Sequence, residues 1–345
     1  MKLLILTQTV DSRDSSLGYY HRWLEVLAGQ VEHLTVFALR VGTYDLPENV
    51  TVIHTRPWNY RARLRTSLRV IKLAWQYRRE YEAVLVHMNQ EYLLVAGWLW
   101  VLLGKRRYMW RNHYSGNFLT DVAAFFCNKV FYTSKYSYTA KYRKGVQMPV
   151  GVDIDSCHLE EQIERPMHSV LFLGRLDESK QPHVLLEALG EFAKDGIEFT
   201  ATFVGGPTDP ESTYPGELRE RAIELGISER VVFAGPIPNT ETYRFYRSHA
   251  IYVNCSKSGM LDKSLFKSIA CGCAAIFTSK DMTEILGSDF SFADSDISGL
   301  SACLKKALAL SERARNLVVA EQHEKAIAAH TIEVLGHRLI EAMTL

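Results

Sequence analysis

The sequence predicts an α/β protein made of two parallel-sheet domains of the Rossmann type. Strand-like and helix-like segments alternate almost throughout, the pattern of parallel sheets covered by helices. The 345 residues suffice for two cores. Between two such runs lies Met148-Pro149-Val150-Gly151-Val152-Asp153, which has no helical period and carries Pro and Gly, so it marks the boundary between sheets.

In the first half, strands are expected at 3–6, 34–37, 50–53, 83–86, 108–110 and 129–132, with helices between most of them. Residues 1–150 form the first domain and the polar, proline-containing stretch 158–168 the linker. The apolar run 170–173 opens the second domain, 151–325. It is followed by a helix at 184–192, a strand at 199–204 closed by Gly205-Gly206-Pro207, a helix at 217–225 stopped by Gly226, a strand at 231–233, the turn Gly235-Pro236-Ile237, a strand at 251–256 and a helix ending Ala270-Cys271-Gly272. The tail from 321 reads as a helical pattern with little apolar surface of its own, its last part, 326–345, forming a C-terminal helix.

Net charge is only +1, but it is unevenly spread. All six tryptophans, Trp23, Trp58, Trp75, Trp98, Trp100 and Trp110, lie in the first third. Between Arg56 and Arg111 twelve Lys and Arg face only Glu80, Glu82 and Glu91. Within this region Arg61, Arg65, Arg69, Lys72, Arg78 and Arg79 surround Leu64, Leu68, Ile71 and Trp75 at helical spacing, a basic amphipathic helix. Such a helix either binds an anionic membrane surface through Arg61 to Arg79 or turns its apolar stripe to the core. No pattern typical of nucleic-acid binding accompanies the charge. Cys127, Cys157, Cys255, Cys271, Cys273 and Cys303 have neither zinc-ligand spacing nor a secretory framework and read as reduced core residues. The opening Met1-Lys2 runs directly into a strand, and the apolar run 92–104 is shorter than the ~20 residues of a spanning helix, so a cytoplasmic protein is expected, peripheral at most to a membrane.

The most informative stretch is Gly174-Arg175-Leu176-Asp177-Glu178-Ser179-Lys180, where a buried strand becomes a helix. Ligands of open α/β sheets bind at the carboxyl ends of such strands. Arg175 offers a planar fork to phosphate oxygens and Lys180 a mobile point charge, a pair suited to a pyrophosphate. In its order of motifs, 168–280 resembles the donor-binding half of family 4 glycosyltransferases. The resemblance implies two facing Rossmann-like domains, the GT-B arrangement, with the C-terminal helix crossing back to the first. It also implies that Gly174, Gly205, Pro236 and Ile237 sit against the donor nucleotide, the last two through backbone groups, and that transfer retains anomeric configuration.

No G-x-G-x-x-G follows any strand and no P-loop is present, which argues against a nicotinamide enzyme and most triphosphatases. Asp153-Ile154-Asp155 and Asp294-Ser295-Asp296 are candidate metal ligands, but the first matches the interdomain G-V-D-x-D of the metal-independent family. Both read as caps and turns, and neither metal nor cofactor is expected. His113, after the strand at 108–110, has the position of the family's active-site histidine, and His87 is the runner-up. Gly18, ahead of an amphipathic helix, matches a glycine beside donor diphosphate or acceptor; an ordinary loop glycine is the competing reading.

The main departure from the family lies at Ser258-Gly259-Met260-Leu261-Asp262-Lys263 and Lys267. Two glutamates usual there are missing, and Lys267 stands where a carboxylate would hold the ribose. Gly259, Asp262 and Lys263 match a subgroup with T-G-S-x-D-K. The amides of Gly259, Met260 and Leu261 are expected to offer a helix N-terminus to phosphate, and Lys267 to pair with Asp262 or solvent. The function expected is transfer of a sugar from a nucleoside-diphosphate sugar to a glycan or lipid-linked glycan. A nucleotide-sugar 2-epimerase and a non-catalytic donor-binding partner of a glycan assembly complex are the alternatives.

Overall fold

A computed structural model describes residues 1–55, 63–157, 163–259 and 261–344. Arg56, Trp58, Arg61, Met260, Leu345 and residues 158–162 of the expected linker therefore lie outside the described residues. The chain forms two compact units, one of Met1–Gly151, Pro238–Thr240 and Ile332–Leu345, the other of Val152–Ile237 and Glu241–Thr331.

The first unit contains β1 (Lys2–Val10), α1 (Tyr19–Ala28), β2 (His33–Val41), β3 (Val50–His54), α2 (Arg63–Gln76), β4 (Ala83–His87), α3 (Glu91–Leu102), β5 (Arg106–Trp110), α4 (Phe118–Phe125), β6 (Lys129–Tyr132) and β7 (Gly145–Gln147). Its strands pair in the order β3-β2-β1-β4-β5-β6-β7, all parallel. Side chains alternate across a strand, so β1 sends Leu3 and Ile5 to one face and Leu4 and Leu6 to the other. The Leu4 face is covered by α2, α3 and α4, and the Leu3 face by α1.

The second unit contains β8 (Ser169–Leu173), α5 (Pro182–Lys194), β9 (Thr200–Val204), α6 (Tyr214–Glu224), β10 (Val231–Gly235), α7 (Thr242–Ser248), β11 (Ile251–Asn254), α8 (Lys263–Ala270), β12 (Ala274–Phe277), α9 (Lys280–Leu286), α10 (Ile297–Leu308) and α11 (Glu312–Ala326). The parallel order is β10-β9-β8-β11-β12. A last helix, α12 (Ile332–Thr344), belongs to the first unit.

The tail differs from its sequence reading. It is two helices, and α12 buries Ile332, Leu335, Leu339 and Met343 beside α1. Burial of a side chain such as Leu339 contributes roughly 1.5–3 kcal/mol. Arg106 and Lys129 donate to the last carbonyls of α12, at Met343 (2.7 Å) and Ala342 (2.8 Å), the end where cations are favourable. Lys105 donates to the carbonyls of Arg78 and Tyr81, and Arg107 to that of Phe126. Part of the basic cluster thus holds helix ends rather than a ligand.

The cysteine expectation also needs correction. Cys157 and Cys271 are joined by a disulfide, their Cα atoms 4.8 Å apart. The fold brings together residues 114 apart in sequence, which spacing alone does not reveal. Cys127, Cys255, Cys273 and Cys303 are free and buried, as expected.

Candidate functional site

In the second sheet β8 leads to β9 and β10 on one side, whereas β11 and β12 lie on the other, so strand order reverses between β8 and β11. Ligands of open α/β sheets bind outside the carboxyl ends of the strands at such a point. Two loops meet there: 174–181 after β8 and, after β11, the residues 255–259 and 261–262.

Lys180 crosses from one loop to the other. Its Nζ lies 2.5 Å from Asp262 Oδ1, with both side chains largely buried. Asn254, the last residue of β11, donates through Nδ2 to Asp262 Oδ2 at 3.1 Å. Burial alone would raise the Asp262 carboxyl, but the adjacent Lys180 ammonium and the hydrogen bonds outweigh it and hold the group below its ordinary value. Asp262 is thus a carboxylate that fixes Lys180, and it leaves the N-terminus of α8 uncapped by its side chain.

Arg175 sits in a second small network. Its Nη1 lies 3.3 Å from Asp177 Oδ2 and donates to Thr208 Oγ1 at 3.0 Å. Asp177 also accepts from Ser179 N–H (3.1 Å) and Ser179 Oγ–H (2.5 Å). Burial raises the Asp177 carboxyl, while the bonds from Ser179 and Thr208 and the Arg175 charge bring it below the usual range. Arg175 remains partly exposed, its fork steadied but open.

The floor of this edge is glycine. Gly174, Gly205 and Gly235 follow or end the adjacent strands β8, β9 and β10. Gly174 N–H donates to Val204 C=O (3.0 Å) and Gly205 N–H to Gly235 C=O (2.9 Å). Gly205 has φ +136°, and a Cβ there would stand 1.8 Å from the Gly174 oxygen. Only glycine fits. Pro236 lies beside Gly206, and Ile237 follows it, so Gly174, Gly205, Pro236 and Ile237 share one edge.

The loop after β11 departs from expectation in two respects. Helix α8 begins at Lys263, so the amides of Gly259 and Leu261 belong to the preceding loop, where Gly259 has φ +91°. Ser258 Oγ accepts from Lys280 N–H (3.1 Å), and Leu261 is buried. Lys267 does not pair with Asp262, whose partner is Lys180; the charge acting favourably on Lys267 is that of Asp153. Burial pushes Lys267 down to about 8 and Lys263 well below its usual range, the Lys267 charge adding to the latter. A lysine disfavoured as a cation in the fold binds fewer protons folded than unfolded, so stability should rise with pH between about 8 and 10.5. Melting curves should show that rise in the wild type and a flatter profile in Lys267→Met; parallel profiles would mean that Lys267 is solvated.

Among the described residues neither D-x-D tripeptide gathers as a ligand set. Asp296 Oδ1 accepts from Gly299 N–H (2.9 Å) and caps α10, and Asp153 Oδ1 accepts from Asp155 N–H (3.2 Å) in a turn. Gln181, with φ +51°, joins Ser295 to the start of α5 through a 2.6 Å side-chain bond.

The first unit holds the other candidates. His113 follows β5; its Nδ1 accepts from Ser115 N–H (3.0 Å), and its ring stacks on Tyr114 at 4.4 Å. His87 is buried at the end of β4, 3.1 Å from Thr7 Oγ1 and stacked on Tyr20 at 3.9 Å. Gly18 has an ordinary φ of −56°, but a Cβ would meet Asp14 O at 2.5 Å, so loop packing requires it. Asp177, Thr208 and Asn254 were missed in the sequence. The Asp-x-Ser turn and a polar residue ending an apolar strand were their signals.

Residues 167–310 match the sequence profile described as "Glycosyl transferases group 1". The chain is 33% identical over 134 residues to a D-inositol 3-phosphate glycosyltransferase of Acidothermus cellulolyticus, covering 37% of this chain and 30% of that protein. It is 40% identical over 81 residues to one from Nocardia farcinica, covering 23% and 18%. The matches thus span less than a third of the length of these relatives. Among solved structures, Anabaena HepE in complex with UDP and glucose superposes with TM-score 0.80 at 16% identity, covering 100% of this chain and 99% of that one. Sucrose-phosphate synthase from Thermosynechococcus elongatus gives 0.78 at 15%, covering 99% and 98%. The fold is that of these structures, two Rossmann-like parallel-sheet domains.

Proposed function

We propose that this chain is a glycosyltransferase that moves a sugar from a nucleoside-diphosphate sugar to an acceptor hydroxyl. The observation that carries the reading is the Lys180–Asp262 pair at the strand-order reversal, beside Arg175 and the glycine edge, inside the segment that matches the transferase profile. As the bond from sugar to diphosphate breaks, its electron pair goes to the phosphate oxygen, while the acceptor hydroxyl oxygen bonds to the anomeric carbon and its proton passes to the departing diphosphate. Lys180, oriented by Asp262, and Arg175 would stabilise the departing diphosphate. Loop amides at Gly259 and Leu261 would assist. The resemblance assigns His113 to orienting the sugar, Gly18 to donor or acceptor, and Lys263 and Lys267 to the donor loop.

Retention of configuration, a hexosyl donor and a role in cell-surface polysaccharide or glycolipid synthesis complete the reading. HepE was solved with UDP and glucose, which makes UDP-sugars the first donors to try. Incubation with nucleotide sugars and glycan or glycolipid acceptors should release nucleoside diphosphate together with a glycosylated product. An epimerised nucleotide sugar without that product would instead support the 2-epimerase. Donor binding without turnover would support a non-catalytic role.

The reading includes no metal or cofactor, since Asp296 is engaged as a helix cap and Asp153 in a turn. Transfer is expected to persist in excess chelator. Abolition by chelator with rescue by magnesium or manganese would refute this.

A further inference from the structure

The face of the first sheet that carries α2, α3 and α4 has an unusual exterior. On α2 the core side is Thr66, Val70, Leu73 and Ala74. Of the apolar stripe read in the sequence, Ile71 is partly buried against this core, whereas the others point outward: Leu64 is 73% exposed, Leu68 58% and Trp75 51%. Next to it, α3 carries no charge after Glu91, and although its inner side is buried, Trp98, Val101 and Leu102 are exposed, Leu102 by 75%. A helix apolar all round ordinarily has all its sides covered. The third helix, α4, leaves Phe118 76% and Phe125 79% exposed, seven residues apart and so on one side. By contrast, among the described residues of the second unit the exposed large apolar side chains are Ile223, Val232 and Leu317. Three neighbouring helices therefore each present an outward apolar stripe, more than singly scattered exposed residues explain.

Charge selects the occupant. Helix α2 contains no acid, and Arg65 and Lys72 flank its exposed stripe. Just beyond it Arg79 is exposed, and the Arg78 guanidinium lies 4.3 Å from the Trp75 ring centre. Of the two acids on the three helices, Glu91 stands at the first turn of α3, and Asp121 on α4 is 2.8 Å from Lys141. A second copy meeting this surface through a two-fold axis would bring like charges together. An anionic bilayer matches both features: lipid phosphates attract the Lys and Arg, and the interfacial region accepts Trp, Leu and Phe.

We propose that the outer faces of α2, α3 and α4 form a docking surface for an anionic lipid bilayer. This surface is broader than the single basic helix recognised in the sequence. It stands apart from sugar transfer, since vesicle binding needs neither donor nor acceptor.

The test uses the full chain with vesicles of phosphatidylcholine, alone or containing phosphatidylglycerol. Sedimentation is expected with the anionic vesicles only, weakening as salt rises. Leu102→Ser/Phe118→Ser/Phe125→Ser should lower binding by ~10-fold or more, and Arg65→Gln/Lys72→Gln by ~10-fold. Melting temperatures near the wild type would show that these outward substitutions leave the fold intact. Brominated phosphatidylglycerol should quench tryptophan fluorescence, and Trp75→Phe/Trp98→Phe should remove most of that quenching. Failure to sediment with anionic vesicles, equal binding to neutral ones, wild-type binding by the triple variant, or binding without quenching would each overturn the proposal. So would a dimer that the triple variant dissolves, which would make a second copy the occupant.

Discussion

Replacing Lys180 with alanine is expected to lower sugar transfer by about 100-fold or more, as loss of a preorganised charge contact to a leaving group does. The same change removes the ammonium 2.5 Å from a largely buried carboxylate, leaving Asp262 with hydrogen bonds from Asn254 and Ser256 but without that cation. Breaking such a pair from one side destabilises by about 3–5 kcal/mol. A fall in activity alone would therefore mix two causes. Lys180→Ala/Asp262→Ala removes both charges and should recover most of the melting temperature, while transfer stays low. If transfer returns with stability, Lys180 is a structural residue; an unchanged kcat/KM in Lys180→Ala removes it from the mechanism. On the acid side the sign is fixed by the depressed Asp262 carboxyl. Its contribution is present above the unfolded value and lost as pH falls through the folded one, so the double variant should be less acid-sensitive than the wild type.

Gly205→Ala should be the most disruptive small substitution in the second unit. The new methyl would overlap the Gly174 carbonyl oxygen, and φ at +136° is a region that side-chain-bearing residues avoid. Backbone strain alone is about 1–3 kcal/mol, and the clash with a strand-end carbonyl adds to it. A melting temperature lower by roughly 5 °C or more, with donor binding reduced, is expected. A variant as stable as the wild type would mean that β8 and β9 separate more easily at this edge than the structure shows. Gly226→Ala is a useful comparison, because it too has positive φ but nothing lies within 4 Å of the added carbon.

Most of the fold was legible because buried parallel strands are short apolar runs punctuated by Gly and Pro. Strands β1 to β6 and β8 to β11 announce themselves in this way. β7 does not, being three residues, Gly145–Gln147, at the sheet edge. The last helix was read from 326 but begins at Ile332, because residues 327–331 contain neither Gly nor Pro to mark the break from α11. On α2 the stripe of large residues left open whether it faced the core or the outside; Leu64, Leu68 and Trp75 point outward, while the sheet is met by the smaller Thr66, Val70 and Ala74 together with Leu73 and, in part, Ile71. Lys180 could be found from the residues beside it. Its partner could not, because Lys180 and Asp262 are 82 residues apart and meet only where strand order reverses. The same reason concealed the Cys157–Cys271 bond.

The central claim is that the edge carrying Arg175 and Lys180 receives a nucleoside diphosphate. The most direct measurement is the melting temperature of wild type, Arg175→Ala and Lys180→Ala across a panel of nucleoside-diphosphate sugars, since a ligand bound only by the folded state stabilises it with the logarithm of saturation. At least one nucleotide sugar should raise the wild-type melting temperature, with the increment reduced or absent in both variants. No increment with any donor, or the same increment in all three proteins, would contradict the claim.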